Sequence, residues 1–258
     1  MPRLGVMEYM LGRPLIQGLL DAEDVEIVTD VPSVVTDALL SGELDAGLIP
    51  IVPTLMHDGL YVVDGPGVAC EGPVESIRLY HRCPLPEVKT LALDTSSRTS
   101  VVLAQVILRE RYGVAPSCIH HEPDLPAMLE RADAALLIGD PAFLAGDAVP
   151  YVDLGAEWYD MTGLPFVFAL WTMRTADRAL AARLQRAWRE GTAAIEGIAQ
   201  EEAARRGLPV ERLQRYLGES MHYCVDDRKK QGIERFITLA ERHGLLDTGG
   251  RRLRFVGT

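Results

Sequence analysis

The chain has 258 residues, with 37 Asp and Glu against 26 Lys and Arg and a formal net charge of −11. That length supplies a sizeable core, in one large or two small domains. The acidic balance excludes the broad basic surface that a nucleic-acid backbone demands. The concentrated basic runs, Arg228-Lys229-Lys230 and Arg251–Arg254, read as solvated faces. Cys70, Cys83, Cys118 and Cys224 are isolated from one another, with no CxxC pair or Cys/His cluster. That spacing supports neither a metal site nor a redox motif, and it fits ordinary thiols in a reducing cytosol. The start MPRLGVMEYM lacks the apolar core of a secretory signal, and no run approaches the roughly 20 apolar residues of a membrane span. The expectation is a soluble, cytoplasmic protein with no membrane or nucleic-acid partner.

Arg3–Met7 reads as a first strand, and Pro14 as the first residue of a helix whose apolar face is Leu15, Ile16, Leu19 and Leu20. Val25–Thr29 is a second strand. Asp30-Val31-Pro32-Ser33 opens a helix through Leu40 that Gly42 ends. Leu44–Pro50 is a third, buried strand, which completes β-α-β-α-β, the unit of a parallel sheet covered by helices. Leu55–Leu60 suits a short helix, Tyr61–Val68 and Ser76–His81 further strands, and Cys83-Pro84-Leu85-Pro86 a crossover.

A second β-α-β-α-β pattern follows: strand Lys89–Asp94, helix Thr99–Tyr112, a weaker strand at Cys118–His121, helix Leu125–Arg131 and strand Ala134–Ile138. Tyr151–Asp153 and Gly155–Gly163 read as connection, and Pro165–Thr172 as an apolar strand crossing back to the first half. From Thr175 onward the pattern is helical, over Arg178–Ala199, Pro209–Leu217 and Gly232–His243. Two similar parallel α/β halves joined by crossovers predict a two-lobed binding fold, with a ligand cleft between the lobes and a helical C-terminal segment. The expected division is lobe I at 1–84 plus 172–258 and lobe II at 85–171.

The stretch LALDTSSRTSVVLA at 91–104 carries the clearest chemical signal. A buried strand feeds a polar turn and then a helix opening at Thr99 and Ser100. First-turn N–H groups lack intrahelical partners, and the helix dipole favours negative charge there. Thr95, Ser96, Ser97, Thr99 and Ser100 can cap the helix, or they can add donors around a carboxylate or phosphate. The cleft-facing position at the start of the second half favours anion binding. Asp140, in IGDPA, follows a buried strand where α/β proteins present functional side chains, and it also suits a turn before Pro141. Ser76 begins a strand near the crossover and reads equally as a strand-edge hydroxyl. Glu8 and Glu75 are possible acids near the cleft, while His81, His120, His121 and His222 have no mutual spacing. No GxSxG elbow, GxGxxG or P-loop is present. The residues by themselves point to a cleft protein for a small anion.

Longer motifs carry a resemblance. VPSVVTDALLSGELDAGLIP (31–50), GPVESIRLY (72–80), LDTSSRTSVVLAQVIL (93–108), DAALLIGDPA (133–142) and DLGAEWYDMTGLPFVFALW (153–171) lie in order along the chain. Together they resemble the chorismate dehydratase family of the futalosine route to menaquinone, which has the fold of type II periplasmic binding proteins. The resemblance implies a cofactor-free and metal-free elimination in which chorismate loses water and becomes 3-[(1-carboxyvinyl)oxy]benzoate, with a substrate carboxylate as base. It implies that Ser76 is the active-site serine. Thr99, Ser100 and neighbouring N–H groups would take one carboxylate, with Leu11, Ser97, Gly139 and Asp140 also at the substrate. One position departs: the family usually has asparagine where Leu11 stands in Tyr9–Leu15, and leucine leaves a polar group unpaired. Either Glu8 or Arg13 substitutes, or the substrate differs. The sister enzyme that forms dihydroxynaphthoate carries a His-Glu pair where Gly139-Asp140 stands here, which argues against that activity. A non-catalytic binder of a small carboxylate is the remaining alternative.

Overall fold

A computed structural model describes residues 1–257. Fully buried Leu4 and Val6 place β1 (Arg3–Met7) in the middle of the first sheet, where β2 (Glu26–Asp30) runs parallel to it. Pro32 in the first turn and Gly42 at φ 90° bound the helix between the next strands, α1 (Pro32–Ser41). β3 (Ala46–Pro50) is buried along its length and pairs in parallel with the other side of β1. The helix expected from Pro14 forms instead as two short 3-10 segments, Met10–Leu15 and Gln17–Leu19. Gly12 and Gly18 weaken an α-helix there. A Cβ on Gly191 would lie 2.0 Å from the Pro14 carbonyl oxygen, so the backbone is pressed against a later helix. α2 (Ile51–Met56) starts earlier than expected, because Pro53 is tolerated in a first turn. β4 (Tyr61–Cys70) then ends this half.

The second sheet comprises β5 (Ile77–His81), β6 (Thr90–Asp94), β7 (Ser117–His121), β8 (Ala134–Ile138) and β9 (Tyr151–Asp153). Between them lie α3 (Thr99–Arg111), α4 (Leu125–Arg131) and α5 (Gly139–Leu144), and α6 (Leu154–Thr162) follows β9. Residues 151–163, expected as connection, are therefore a strand and a helix. Asp153 supplies the missing signal: its carboxylate accepts the N–H of Gly155 at 2.9 Å and of Ala156 at 3.1 Å, and Trp158 is fully buried beneath.

The chain returns as β10 (Phe166–Met173), followed by α7 (Arg178–Ala193), α8 (Ile195–Arg206), α9 (Val210–Arg215), β11 (His222–Cys224), α10 (Asp227–Arg242) and β12 (Phe255–Val256). The single helix expected over Arg178–Ala199 breaks at Ala194, just after Thr192 turns its hydroxyl back onto the Trp188 carbonyl at 2.9 Å. Lys229, read as part of a solvated run, is 6 % exposed and pairs with Asp226 at 3.1 Å.

Sheet one has the order β11-β4-β10-β3-β1-β2, with β12 added on β4, and sheet two the order β7-β6-β8-β5-β9. In each, the strand from across the crossover runs antiparallel beside the parallel set: β10 against β3, and β5 against β8. This is the two-lobed binding-protein arrangement. The boundaries differ from those expected at 84/85 and 171/172. Ile77–His81 pair with Ala134–Ile138, and Ala169–Met173 pair with Ala46–Pro50, so the chain changes lobe between Cys70 and Ile77 and again before Phe166. The Cys-Pro-Leu-Pro break falls after the real crossover, because a strand's lobe is set by its partner rather than by nearby prolines.

Candidate active site between the lobes

In both lobes the parallel strands end towards one cavity, about 450 Å3 measured to its open mouth. Such ends are where open α/β sheets bind ligands. Met7, Tyr9 and Leu11 come from the end of β1 and the turn after it, Pro50 from β3, and Ile138 and Gly139 from β8 and its turn. Val68, Val74, Ile77, Phe168, Ala169 and Met221 add apolar wall. The side-chain hydroxyls on the wall belong to Tyr9, Ser97, Thr99 and Ser100.

The turn before α3 divides its hydroxyls between two tasks. Thr95 faces outward and donates to Glu122 at 3.0 Å. Ser96 donates to the buried Asp94 carboxylate at 2.5 Å and receives the Tyr9 phenol at 3.1 Å. Asp94 also accepts the N–H groups of Ser96 at 2.9 Å and Ile138 at 3.1 Å. Burial pushes its pKa above the ordinary carboxylate value, against the pull of these bonds. Burial raises the Tyr9 phenol as well, so Tyr9 is a neutral donor at physiological pH.

Ser97, Thr99 and Ser100 face the cavity. Arg98 occupies the N-cap position of α3, and no side chain caps that helix. N-capping is therefore not what these hydroxyls do. Thr99 Oγ1 accepts the Val52 N–H at 3.2 Å from the other lobe, and this bond leaves the hydroxyl proton of Thr99 to donate. Three hydroxyl residues and an uncapped helix N-terminus on the wall of an apolar cavity form a cluster of donors suited to an anion.

Leu11 and Gly139 also reach the cavity wall. Gly139 sits at φ 64°, and a Cβ there would lie 2.5 Å from the Tyr9 ring, so the phenol packs flat on the glycine. Ser76 and Asp140 do not line the cavity. Ser76 is fully buried beside it, with its Oγ at a long 3.4 Å from the Val74 carbonyl oxygen and its own carbonyl accepting the Gly139 N–H at 2.7 Å. Asp140 clasps the lobes together. Its carboxylate accepts the Met10 N–H at 3.1 Å and pairs with Arg206 at 2.5 Å. Burial raises the Asp140 pKa, and Arg206 only partly offsets it. Glu8 opens onto a groove outside Tyr9, and Glu75 onto a crevice beyond Ser76. Tyr9, Phe168 and Met221 are among the cavity residues that sequence reasoning missed, along with apolar residues such as Met7, Val74 and Ile77. Tyr9 had a signal, as a phenol directly after a buried strand; Phe168 and Met221 read as ordinary core.

A family profile described as menaquinone biosynthesis matches residues 2–242. The chain is 33% identical over 264 residues to a chorismate dehydratase of Thermus thermophilus, covering 94% of this chain and 95% of that one. It is 28% identical over 149 residues to a chorismate dehydratase of Campylobacter jejuni, covering 57% and 56%. Among solved structures it resembles a protein of Archaeoglobus fulgidus, with a TM-score of 0.77 at 19% identity over 95% of this chain and 98% of that one. It also resembles the periplasmic aliphatic sulphonate binding protein of Escherichia coli, with a TM-score of 0.68 at 17% identity over 98% and 92%. Both likenesses establish the two-lobed fold, and the sequence matches establish the lineage. The chain belongs to the chorismate dehydratase family of menaquinone biosynthesis.

Proposed function

We propose that this protein is a chorismate dehydratase of the futalosine route, acting in the cytoplasm without metal or cofactor. The observation that carries the reading is the largely apolar cavity between the lobes with the uncapped α3 N-terminus and Ser97, Thr99 and Ser100 on its wall. Such a chamber suits a flat ring held by a carboxylate. In the reaction a ring proton and a ring hydroxyl leave as water, and aromatisation supplies the driving force. The protein's part is to fix the ring and to stabilise the charge that develops on proton removal. Among the described residues, no side-chain carboxylate or imidazole lines the chamber to act as base, which agrees with a carboxylate of the substrate taking the proton. Ser76 is fully buried beside Ile77, which lines the chamber, and is the family's expected active-site serine on this reading.

Incubated with chorismate, the purified protein should yield 3-[(1-carboxyvinyl)oxy]benzoate by chromatography. Thr99→Val with Ser100→Ala removes two donors to a charged ligand and should lower kcat/KM on the order of 100-fold. An unchanged kcat/KM in that double variant would remove the cradle from the mechanism. A second reading, a binder without turnover, is favoured by one feature: Leu11 puts methyl groups on the wall where the family usually has an amide. Tight chorismate binding without product would establish it. Leu11→Asn is then expected to raise turnover, and a variant as inactive as the parent would show that Leu11 is not the limit.

A further inference from the structure

On the other side of the 73–78 segment lies a second crevice, of about 950 Å3 measured to its open mouth. This segment presents Val74 and Ile77 to the central cavity but Pro73, Glu75 and Arg78 to the crevice, and the two spaces share no lining residue. Arg78 comes from β5 in lobe II, while Arg212 and Arg215 come from α9, which packs with lobe I. In a chain of net charge −11, three guanidinium groups from two lobes converge on one concave surface.

Their donors outnumber their partners. Arg78 is 6 % exposed and stacks on the Tyr151 ring at 4.2 Å, yet among the described residues its Nε has no hydrogen-bond partner. Its Nη1 reaches the Gly146 carbonyl at 3.3 Å and Asp147 at 3.2 Å, and Asp147 is itself 77% exposed. Burial works against its charge, but the Tyr80 and Tyr151 phenols and Asp147 hold the guanidinium charged, so the crevice keeps a cation whose one carboxylate partner is solvent-exposed. Arg212 lies over the Phe143 ring at 4.1 Å and gives one Nη2 to the Phe143 carbonyl at 2.5 Å. Arg215 makes a 3.4 Å contact with Glu75, whose carboxylate is already held by Ser220 at 2.6 Å. Asp153, the remaining acid on the wall, is committed to the N–H groups of Val74, Glu75, Gly155 and Ala156.

We propose that this crevice is a second ligand site, separate from the central cavity, which binds the phosphate group of a phosphate-bearing small molecule through Arg78, Arg212 and Arg215. Guanidinium forks match the geometry of phosphate oxygens, and each charge-assisted bond is about twice as strong as a neutral one. Because the three arginines come from two lobes, an occupant bridges the lobes and stabilises their closed arrangement by mass action. Exposed Asp147 swings out to solvent as the phosphate takes its place.

The test is titration calorimetry of the full chain with inorganic phosphate, at constant ionic strength in a buffer free of phosphate. Saturable binding is expected, with a matching rise in the thermal midpoint. Arg212→Gln with Arg215→Gln should weaken it by about tenfold or more, whereas Thr99→Val with Ser100→Ala should leave it unchanged. Arg215→Gln alone, at an exposed position, keeps the test open if the double variant fails to fold, and it should weaken binding several-fold. Three results would overturn the proposal: no saturable binding, binding that survives the arginine changes, or binding that is lost with Thr99 and Ser100 and so belongs to the central cavity.

Discussion

Gly139→Ala is expected to destabilise the closed protein by about 2–4 kcal/mol, the sum of a left-handed backbone penalty and an overpacked contact. Gly139 holds φ 64°, where a Cβ costs backbone energy in any surroundings. The added methyl would also fall 2.5 Å from two atoms of the Tyr9 ring and 2.6 Å from a third. The ring has to leave, and with it goes the Tyr9 hydrogen bond to Ser96 that joins the lobes. Urea denaturation should report the lost stability, and small-angle scattering should show a more open particle. Tyr9→Ala in the same chain makes room for the methyl, so the two changes together should cost less than their sum. If Gly139→Ala leaves midpoint and scattering profile unchanged, the ring on the glycine is not a clasp.

Glu202→Gln is the second large effect, about 2–3 kcal/mol at neutral pH, because it strands cations around a buried carboxylate. The Glu202 side chain is 1% exposed and pairs with Arg13 at 3.1 Å, Arg205 at 2.5 Å and Arg206 at 3.1 Å. Arg206 continues to Asp140, and Asp140 to the Met10 N–H, so this carboxylate anchors the chain of contacts that ties α8 to lobe II. Arg205 is largely exposed, which keeps the figure below the full cost of a buried broken pair. Burial by itself would raise the Glu202 pKa, but hydrogen bonds from Arg205 and Arg206 bring it below the ordinary 4.5. A depressed carboxylate stabilises the fold fully above its unfolded pKa and loses that contribution as pH falls through the folded value. The stability gap between parent and variant should therefore be constant near neutrality and shrink below about pH 4.5. A gap that widens on acidification would show that the carboxylate is not held ionised by its arginines.

Asp140 shows why the site was harder to read than the fold. Its position after a buried strand was plain, and in α/β proteins that position often carries function. Which way the carboxylate turns depends on Arg206 and on the Met10 N–H, which are 66 and 130 residues away. Ser76 likewise lies within a legible motif, yet whether its hydroxyl meets the cavity depends on how Val74 and Gly139 pack around it. The hydroxyls at 95–100 were legible as a group, and their division between Glu122, Asp94 and the cavity was not. Tyr9 carries only a weak signal, because a single aromatic after a strand looks like core until Gly139 is placed beneath it.

The repeated β-α-β-α-β pattern, the apolar strands and the Pro and Gly signals at helix ends are local, because backbone preference and burial periodicity act over a few residues. They determined the α/β class, two lobes, most element positions and the helix opening at Thr99. The lobe membership of β5, the point before Phe166 at which the chain returns as β10, the break at Ala194, the burial of Lys229 and the shape of the cavity were decided by tertiary structure alone. Each depends on partners distant in sequence: β8 for β5, β3 and β4 for β10. Hydrogen-bond register and close packing choose among such partners only when both lobes are assembled.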